Sequence, residues 1–309
     1  MTDNSAPTLS KQTPAPLPSA TEADDHRAGT RSRRRRPSRQ LVRHAVLVSV
    51  VAVSLYPVLW LIVSSLRPDG HIFNNPSLVL NTFAAENYTH GWNALGRPFS
   101  LYLLNSAVVV LGAVVGNLIS CAMAAYGFAR LRFKFRKPAF AIMLVTIMVP
   151  FHVVVVPQYI LFAQIDANDS FLPLILPKFL ATDAFFIFLM VQFLRGLPRE
   201  LDEAARIDGA GHGRIFFQVL LPLMKPALAT TVIFTFLWTW NDFFSQLVYL
   251  TDPNLYTVPV ALRSFIDAQS QSSFGAMFAM SVVSILPMLL VFTFGQKYLI
   301  RGIATTGGK

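Results

Sequence analysis

Six long apolar stretches limit what this chain can fold into more than any other feature of its sequence. A helix of about 20 apolar residues crosses the roughly 30 Å hydrocarbon layer of a membrane, because each residue adds about 1.5 Å. The predicted spans are residues 44–66, 101–129, 139–163, 172–194, 227–250 and 276–296. The sequence therefore predicts an all-α integral membrane protein with six transmembrane helices.

The composition excludes an ordinary water-soluble enzyme. Of the 309 residues, 53% are hydrophobic and 14% are charged, whereas soluble domains carry about 25% charged residues. No segment outside the spans exceeds about 45 residues, and an independently folding domain needs about 50 or more. We therefore expect no catalytic residues and no cofactor in this chain, so any ATP hydrolysis would belong to a partner subunit.

The positive charges predict which side of the membrane each segment occupies. The chain has 26 Lys and Arg against 16 Asp and Glu, a net charge of +10. Twenty-two of these basic residues share a side with the termini, in residues 1–43, 130–137, 195–225 and the segment after 296. The opposite side holds only Arg67, Arg97 and Arg263. Because cytoplasmic loops are enriched in Lys and Arg, both termini are predicted to be cytoplasmic, and no nucleic-acid partner is needed to explain the charge.

Residues 1–43 precede the first span and are rich in Ser, Pro, Thr and Arg. They carry almost no bulky apolar side chains, so they cannot bury enough surface to offset the entropy of ordering. We predict a disordered basic cytoplasmic tail. Its arginine run, from Arg31 to Arg43, would anchor the first span against anionic lipid headgroups.

The longest loop between spans, residues 195–225, has the pattern of two short helices. Pro198 and the acidic residues after it favour a helix N-terminus. Residues 208–211 then interrupt the helix with two glycines, and apolar residues at i, i+1, i+4 and i+5 resume from Ile215 until Pro222. The loop is therefore predicted to form a helix, a glycine turn and a second helix at the cytoplasmic membrane surface.

The centre of the first loop helix suits docking. Ala204 and Ala205 allow the backbone to approach another surface closely, and Glu203 beside them supplies one directed charge. The alternative is an ordinary amphipathic helix that lies on the membrane without a partner.

The motif in this loop resembles a known family. Glu203-Ala204-Ala205, followed by Gly209 and by Leu221-Pro222, is similar to the EAA loop of binding-protein-dependent ABC importer permeases, and residues 203–210 are typical of the carbohydrate-importing branch. In that family the loop is a coupling helix that sits in a groove of the ATPase subunit. The resemblance implies these coupling residues: Glu203, Ala204, Ala205, Asp208, Gly209, Gly211, Gly213 and Pro222. It makes Glu203 the salt-bridge partner of an ATPase arginine.

The resemblance extends over most of residues 44–303, and its further motifs look like those of the maltose-type inner-membrane permease. Further matching positions are Asn87-Tyr88 with Trp92, Tyr102 to Ser106, Ala124 to Phe133, Met148 to Pro150, Trp240 to Asp242 and Gln296 to Gly302. It implies a six-helix domain over 44–303, with a sister permease, two ATP-binding subunits, an extracytoplasmic solute-binding protein and a sugar substrate. The tail at 304–309 departs from the family pattern, which puts the usual C-terminal contact with the ATPases in question.

Three ionisable side chains fall inside the predicted spans: Lys178, Asp183 and Asp242. Such groups cost about 2.5–3.5 kcal/mol on insertion scales and usually face a bundle interior or a cavity. Lys178 is predicted to lie near the outer start of its span, from which it would extend to the surface. Its five-residue spacing from Asp183 is not the i+4 of a favourable helical pair, so their pairing stays open.

A second set of polar and aromatic residues lies in the second half of the fifth predicted span. Trp238, Trp240, Asn241 and Asp242 combine aromatic faces with amide and carboxylate groups, the mixture that binds saturated sugar rings. We interpret these four residues as candidate substrate-pathway residues. The alternative is an aromatic and polar packing cluster that bends the span.

Smaller motifs concern packing. Gly112 and Gly116 form a small-xxx-small pair that favours close packing of helices within the chain, and Cys121 is interpreted as a small apolar filler. Pro150 and Pro157, on either side of His152, predict a kinked third helix. No metal-ligand spacing is present, so no metal site is predicted.

The sequence therefore predicts the permease subunit of an ATP-driven carbohydrate importer in the cell (inner) membrane. The first alternative is an ion-gradient-driven secondary transporter or channel subunit, which would place ionisable groups opposite one another at the membrane midplane and show internal repeats. The second is an intramembrane hydrolase, which would need a catalytic dyad or metal pair in the spans. Neither alternative accounts for residues 203–222.

Overall fold

The computed structural model describes residues 37–74, 77–80, 82–266 and 273–304, and within them the regular structure is entirely helical. The chain divides into two compact units, residues 1–55 and 56–309. The described part of the first unit, 37–55, is a stretch of one helix. The predicted tail over residues 1–36 and the predicted C-terminal contact of residues 305–309 lie outside the described residues.

The helices follow one another along the chain with short connections. They are α1 (Pro37–Ser64), α2 (Asp69–Ile72), α3 (Glu86–Asn93), α4 (Phe99–Arg130), α5 (Arg136–Thr146), α6 (Phe151–Gln164), α7 (Leu172–Phe179), α8 (Ala184–Gly196), α9 (Glu200–Ile207), α10 (His212–Arg214), α11 (Leu221–Leu223), α12 (Lys225–Trp240), α13 (Phe244–Tyr249), α14 (Val258–Ser264) and α15 (Phe274–Ala304). A π-helical stretch, Ile215–Leu220, joins α10 to α11, and a 3₁₀ turn, Pro253–Leu255, precedes α14.

Among the described residues, the candidate membrane spans number between four and six. Four segments are long and apolar enough to cross a membrane: Gln40–Ser64, Phe99–Arg130, Leu172–Gly196 and Phe274–Tyr298. Two further pairs of helices qualify only if each bent pair is one span, α5 with α6 at 100° and His212–Leu223 with α12 at 75°. The all-helical membrane architecture is therefore confirmed, while the total of six depends on how the bent pairs are counted.

The first helix begins earlier than the predicted boundary at His44. Residues 37–43, which the sequence assigned to a disordered tail, form the start of α1. Pro37 fits the first turn of a helix because its fixed φ is already helical and its missing N–H leaves no helical hydrogen bond unmade. Arg and Gln, which favour helices, continue the turn. At the other end, α15 reaches Ala304, one residue into the predicted C-terminal tail.

Two predicted spans are interrupted where prolines or polar residues occur. In 139–163 the helix breaks between Thr146 and Phe151, since Pro150 has no N–H and disfavours helical geometry at Val149. In 227–250 the continuous helix ends at Trp240. The Asn241 side chain donates to the Leu237 carbonyl at 2.8 Å. The third-span kink is thus a sharp bend, and the fifth span is shorter than predicted.

A third interruption divides the predicted span 172–194 into α7 and α8. Ala181 has a φ of 55°, in the left-handed region, and no helix continues through such a residue. The Pro177 carbonyl, freed at the end of α7, accepts hydrogen bonds from the Leu180 amide at 3.0 Å and the Thr182 hydroxyl at 2.9 Å. This break brings Lys178 and Asp183 onto one side of the chain.

Helix α4 packs at the centre of the second unit, against α7, α8 and α12. A Cβ atom at Gly112 would lie 2.8 Å from Ile175 of α7, and one at Gly116 would lie 2.8 Å from the Phe179 ring. The two glycines therefore serve close packing within the chain, as predicted. Cys121, on the same helix, is fully buried in an apolar cluster with α8.

Candidate functional site

The loop over residues 195–225 folds as two helical segments around a tight turn. Helix α9 ends at Ile207, and Gly209 follows with a φ of 77°, a left-handed conformation that glycine adopts without steric cost. The Ala210 amide donates to the Ala205 carbonyl at 2.9 Å, and the Ile215 amide donates to the Gly211 carbonyl at 3.0 Å, which opens the second segment. The second segment then continues without interruption from His212 to Leu223.

The second segment attaches the loop to the body of the protein through its apolar side. Ile215, Phe216 and Leu220 are buried in the same cluster as Cys121 and α8, whereas Phe217 is exposed. This is the apolar face that the sequence predicted. Pro222 lies in the last turn of the segment, and Gly213 borders open space.

Helix α9 is held in place by a buried ion pair that the sequence reasoning missed. Arg130, at the end of α4, places its Nε 3.3 Å from the Asp202 Oδ2, and the two side chains are only 4% and 11% exposed. The Arg130 Nη2 also donates to the Leu197 carbonyl at 3.0 Å. Arg130 thus joins the end of α4 to both ends of the short connection between α8 and α9.

A second contact holds the turn. The Tyr126 hydroxyl, one turn before Arg130 on α4, lies 3.1 Å from Nδ1 of His212 and donates to the His212 carbonyl at 3.4 Å. Arg130 and Tyr126 both fall in the string 124–133 that resembles the permease family, but no spacing rule connects that string to residues 202 and 212. Only tertiary packing brings them together.

The opposite side of α9 is open. Glu203 and Ala204 are exposed, and Ile207, one turn further, is 87% exposed. Residues three and four apart share a helix face, so these three side chains form one surface, which we call the outer face of α9. Ala205 lies on the other side and packs against the apolar cluster. The predicted alanine pair is therefore divided between the two sides of the helix.

The other coupling residues predicted from the sequence lie in the turn. Asp208 caps the end of α9 by donating its amide to the Ala204 carbonyl at 3.1 Å, and its side chain is exposed. Gly211 adopts an extended backbone before α10. Pro198 precedes the N-cap residue Arg199 and lies outside the first turn of α9, where it had been predicted.

Polar side chains also meet between the long helices, at the α7–α8 break. Lys178 Nζ lies 2.9 Å from Asp183 Oδ2, and Asn117 of α4 donates to the same oxygen at 2.6 Å. Asn117 also donates to the Thr235 hydroxyl of α12 at 3.1 Å, and Ser120 donates to the Lys178 carbonyl at 2.6 Å. The Lys178–Asp183 pairing that the sequence left open is therefore present, because the break in the span brings Asp183 within reach of the ammonium group.

The four predicted pathway residues do not converge. Trp240 is buried, stacks on Phe236 and donates its Nε1 to the Ser284 carbonyl at 3.2 Å. Asn241 caps its own helix, and Asp242 accepts the Ser245 amide at 3.0 Å to begin α13. Trp238 alone presents an indole that is 52% exposed. These contacts correspond to the packing cluster at a bend of the fifth span.

Metal-ligating side chains do not cluster in the described part of the chain: it holds no group of three His, Cys, Asp or Glu residues able to bind one ion. The described residues thus form a helical membrane protein with an anchored loop, one exposed helix face and a polar junction between its long helices.

Residues 116–305 match the family described as the binding-protein-dependent transport system inner membrane component. The chain belongs to this family of ABC transporter permeases, and it is a multi-pass protein of the inner membrane. The match begins within α4 and includes the whole 195–225 loop.

Three relatives of this chain are permeases of uptake or transport systems. The diacetylchitobiose uptake system permease of Streptomyces coelicolor is 32% identical over 257 residues, which cover 83% of this chain and 84% of that protein. The arabinooligosaccharides transport system permease of Bacillus subtilis is 33% identical, with coverage of 82% and 90%. The sn-glycerol-3-phosphate transport system permease of Yersinia pestis bv. Antiqua is 31% identical, with coverage of 84% and 94%.

A solved structure has the same fold. It is a bacterial ABC transporter involved in the import of the acidic polysaccharide alginate, and one of its chains superposes with a TM-score of 0.73. The superposition covers 85% of this chain and 98% of that one, at 24% sequence identity. At this identity the likeness establishes the fold, and the residue-level roles depend on the contacts described above.

Proposed function

We propose that this chain is one of two membrane subunits of an ATP-driven carbohydrate importer. In this proposal α5 and α6 together form the third span and residues 227–250 form the fifth, which gives six spans with both termini cytoplasmic. Residues 44–303 form the transport domain and 195–225 its cytoplasmic coupling loop. A sister permease completes the pathway, two ATP-binding subunits hydrolyse ATP, and a solute-binding protein delivers the sugar from outside. The similarity to the diacetylchitobiose and arabinooligosaccharides permeases supports a sugar as cargo.

One observation carries the proposal: α9 is rigidly held on one side and open on the other. The buried Arg130–Asp202 pair fixes the helix to the end of α4, while Glu203 and Ile207 on the outer face are exposed. A loop that transmits motion needs both properties, since it must follow its partner without deforming. The outer face offers one carboxylate and one apolar side chain to a groove of the ATPase.

The mechanism is alternating access. ATP closes the paired ATPase subunits, the docked α9 moves with them, and α4 follows because it is joined to α9 through Arg130. A partner shifts an equilibrium only by the difference of its affinities for the two states. The contacts of Glu203 are therefore proposed to differ between the inward-facing and outward-facing forms. Trp238, whose aromatic side chain is exposed, is proposed to lie along the path that opens.

The test is to express the chain with the ATPase and sister-permease genes encoded beside it. Glu203→Lys is expected to remove the ATPase from the purified complex and to abolish ATP-dependent sugar uptake into vesicles. Glu86→Lys is the matched control: it reverses an exposed carboxylate in the segment predicted to lie outside, so the ATPase is expected to remain bound.

Two other results would contradict the importer proposal. The proposal is wrong if no ATPase co-purifies with the wild-type chain and Glu203→Lys leaves uptake intact. Uptake that survives ATP depletion and stops when a protonophore collapses the ion gradient would instead establish the ion-gradient-driven secondary transporter or channel.

A further inference from the structure

The Lys178–Asp183 ion pair is partly exposed although it lies far from the ends of the long helices. The side chains are 29% and 26% exposed. The 13 residues of α8 separate Asp183 from the loop at Gly196, and they span about 20 Å at 1.5 Å per residue. The pair therefore lies at a depth that the hydrocarbon layer occupies on the lipid side of the protein. Charged groups at this depth face protein or a water-filled cavity.

The pair has unused hydrogen-bonding capacity. Lys178 and Asn117 both contact Oδ2 of Asp183, so Oδ1 accepts no hydrogen bond from the residues that the structure describes. An ammonium group has three donors, of which Asp183 takes one. One free carboxylate oxygen and the remaining ammonium donors thus lie side by side, and the pair carries no net charge.

An exposed aromatic ring packs against the start of α8, two and three residues along the chain from Asp183. The Trp238 indole is 5.7 Å from the ring of Phe185 and 5.2 Å from that of Phe186, the residues that follow Asp183 at the start of α8. Thr235, one turn earlier on the same face of α12, accepts the hydrogen bond from Asn117. The same face of α12 therefore contacts both the polar junction and the start of α8, and Trp238 is the exposed residue on it.

We propose that Lys178, Asp183 and Trp238 form a binding subsite for a neutral polyhydroxylated ligand, a sugar ring on the transport path. Two neighbouring hydroxyls bridge the free Asp183 oxygen and the Lys178 ammonium, and the C–H face of the ring rests on the indole. Because the pair is neutral overall, it favours an uncharged saccharide over an anion. This inference rests on the proposed carbohydrate-import function and gives it a site that differs from the Trp240–Asp242 segment.

The experiment uses the complete complex, with its sister permease and ATPase subunits, in lipid nanodiscs without the solute-binding protein. Diacetylchitobiose, arabinotriose and sn-glycerol 3-phosphate are titrated separately, and equilibrium binding and tryptophan fluorescence are recorded. In parallel, proteoliposomes with the solute-binding protein identify which of the three compounds the wild-type complex accumulates with ATP.

For the transported neutral saccharide, Asp183→Asn, Lys178→Gln and Trp238→Ala are each expected to weaken binding about tenfold or more, the loss of one charge-assisted hydrogen bond or ring contact. Trp238→Phe is expected to remove the sugar-induced fluorescence change. Trp92→Phe is the matched control, since that ring packs on Phe99 in another part of the protein, and the fluorescence change is expected to persist. If Asp183→Asn fails to assemble, the exposed Trp238 variants decide.

Each other outcome overturns the subsite. Unchanged affinity in Trp238→Ala, a fluorescence change that persists in Trp238→Phe, or no binding of the saccharide that the same complex transports removes the subsite. A site for anions would bind sn-glycerol 3-phosphate more tightly in Asp183→Asn and more weakly in Lys178→Gln, which contradicts the neutral ligand. Failure of the wild-type complex to accumulate any of the compounds with ATP would count against the proposed function itself. The two failures are distinguishable, because accumulation tests the function and the binding of the variants tests the subsite.

Discussion

At the scale of single residues, the Arg130–Asp202 pair is the contact whose loss should matter most. Both side chains are buried, and Oδ1 of Asp202 is buried without a hydrogen-bond partner among the described residues. Removing one partner of such a pair leaves an uncompensated charge and costs about 3–5 kcal/mol, whereas replacing both with apolar residues is often neutral. The pair therefore specifies where α9 lies more than it adds to stability.

We expect Arg130→Met to release α9 and the double variant Arg130→Met, Asp202→Leu to restore its packing. Trypsin in inside-out vesicles measures this, because Arg206 lies on α9 and becomes a cleavage site when the helix detaches. The single variant should be cut at Arg206 at least tenfold faster than wild type, because the free energy that holds α9 in place falls by more than about 1.4 kcal/mol. The double variant should be cut at close to the wild-type rate. Equal rates in all three would show that the pair does not hold α9.

Asp169 connects two loops outside the predicted spans. Its Oδ1 accepts the amides of Asp252 at 2.9 Å and Thr251 at 2.8 Å, and these two hydrogen bonds, that from Asp252 first, lower the pKa of the Asp169 carboxyl below its ordinary value. A folded pKa below the unfolded one gives stabilisation that is complete above the unfolded pKa of about 3.9 and is lost as the pH falls through the folded pKa.

We therefore expect the Thr251 and Asp252 amides to lose protection from hydrogen exchange as the pH falls below about 4, the ordinary Asp pKa, after correction for the intrinsic exchange rate. Asp169→Asn is the matched variant, because Asn tolerates the left-handed backbone at this position, where φ is 56°, and keeps an acceptor oxygen. Its protection should be lower at neutral pH and independent of pH. A pH-dependent loss in that variant would assign the effect to another group.

At the scale of elements, the contact of α4 with α7 depends on two glycines that are not equivalent. A Cβ at Gly116 would lie 3.0 Å from the Lys178 carbonyl carbon, which is backbone, whereas the three atoms nearest to a Cβ at Gly112 all belong to the Ile175 side chain. A flexible side chain can move aside and a helix backbone cannot. We expect Gly116→Ala to destabilise the protein by about 1–3 kcal/mol, the usual cost of overpacking, and Gly112→Ala by less.

Thermal unfolding of the purified complex, followed by loss of monodisperse protein, compares the two glycine variants. The midpoint should fall further for Gly116→Ala. Because Gly116 packs beside Lys178, that variant should also weaken the Lys178–Asp183 contact, and Gly112→Ala should not. If the unfolding midpoint were lower for Gly112→Ala than for Gly116→Ala, α7 would pack differently against α4.

The sequence predicts the helices well and their interruptions unevenly. Apolar runs and helix length are local properties, so the long helices fall close to the predicted spans. Pro150 marks its break in advance, because a missing N–H is also local. The break at Ala181 has no such signal: it depends on Asn117 and Ser120, residues of another helix that pair with Asp183 and with the Lys178 carbonyl.

The same distinction holds for the candidate site. The motif around Glu203 predicts the loop and its glycine turn, because a left-handed turn needs a particular residue type at a particular place. It does not predict that Ala204 and Ala205 lie on opposite sides of α9, since that orientation is set by the burial of Asp202 against Arg130. Periodicity within eight residues does not determine which face a long-range ion pair draws inward.

At the scale of the whole molecule, the proposed topology makes the outer face of α9 cytoplasmic and reachable only from inside. The single cysteine makes this testable, because Cys121 is fully buried and should not react with a membrane-impermeant maleimide. Ile207→Cys is expected to be labelled in inside-out vesicles alone. Phe83→Cys, an exposed position in the segment predicted to lie outside, is expected to be labelled in right-side-out vesicles alone.

The same labelling reports coupling when the ATPase subunits are present. Docking on the outer face should protect Ile207→Cys from the maleimide at least tenfold, because the side chain, 87% exposed in the isolated chain, would become buried in the groove. Phe135→Cys, exposed in the other cytoplasmic loop, should remain reactive, which separates docking from general occlusion of the membrane surface. Labelling of Ile207→Cys from outside would reverse the topology. Labelling from inside that the ATPase subunits do not reduce would agree with the topology but place the ATPase contact elsewhere. A residue that stays accessible in the assembled complex cannot lie in the contact that transmits the motion.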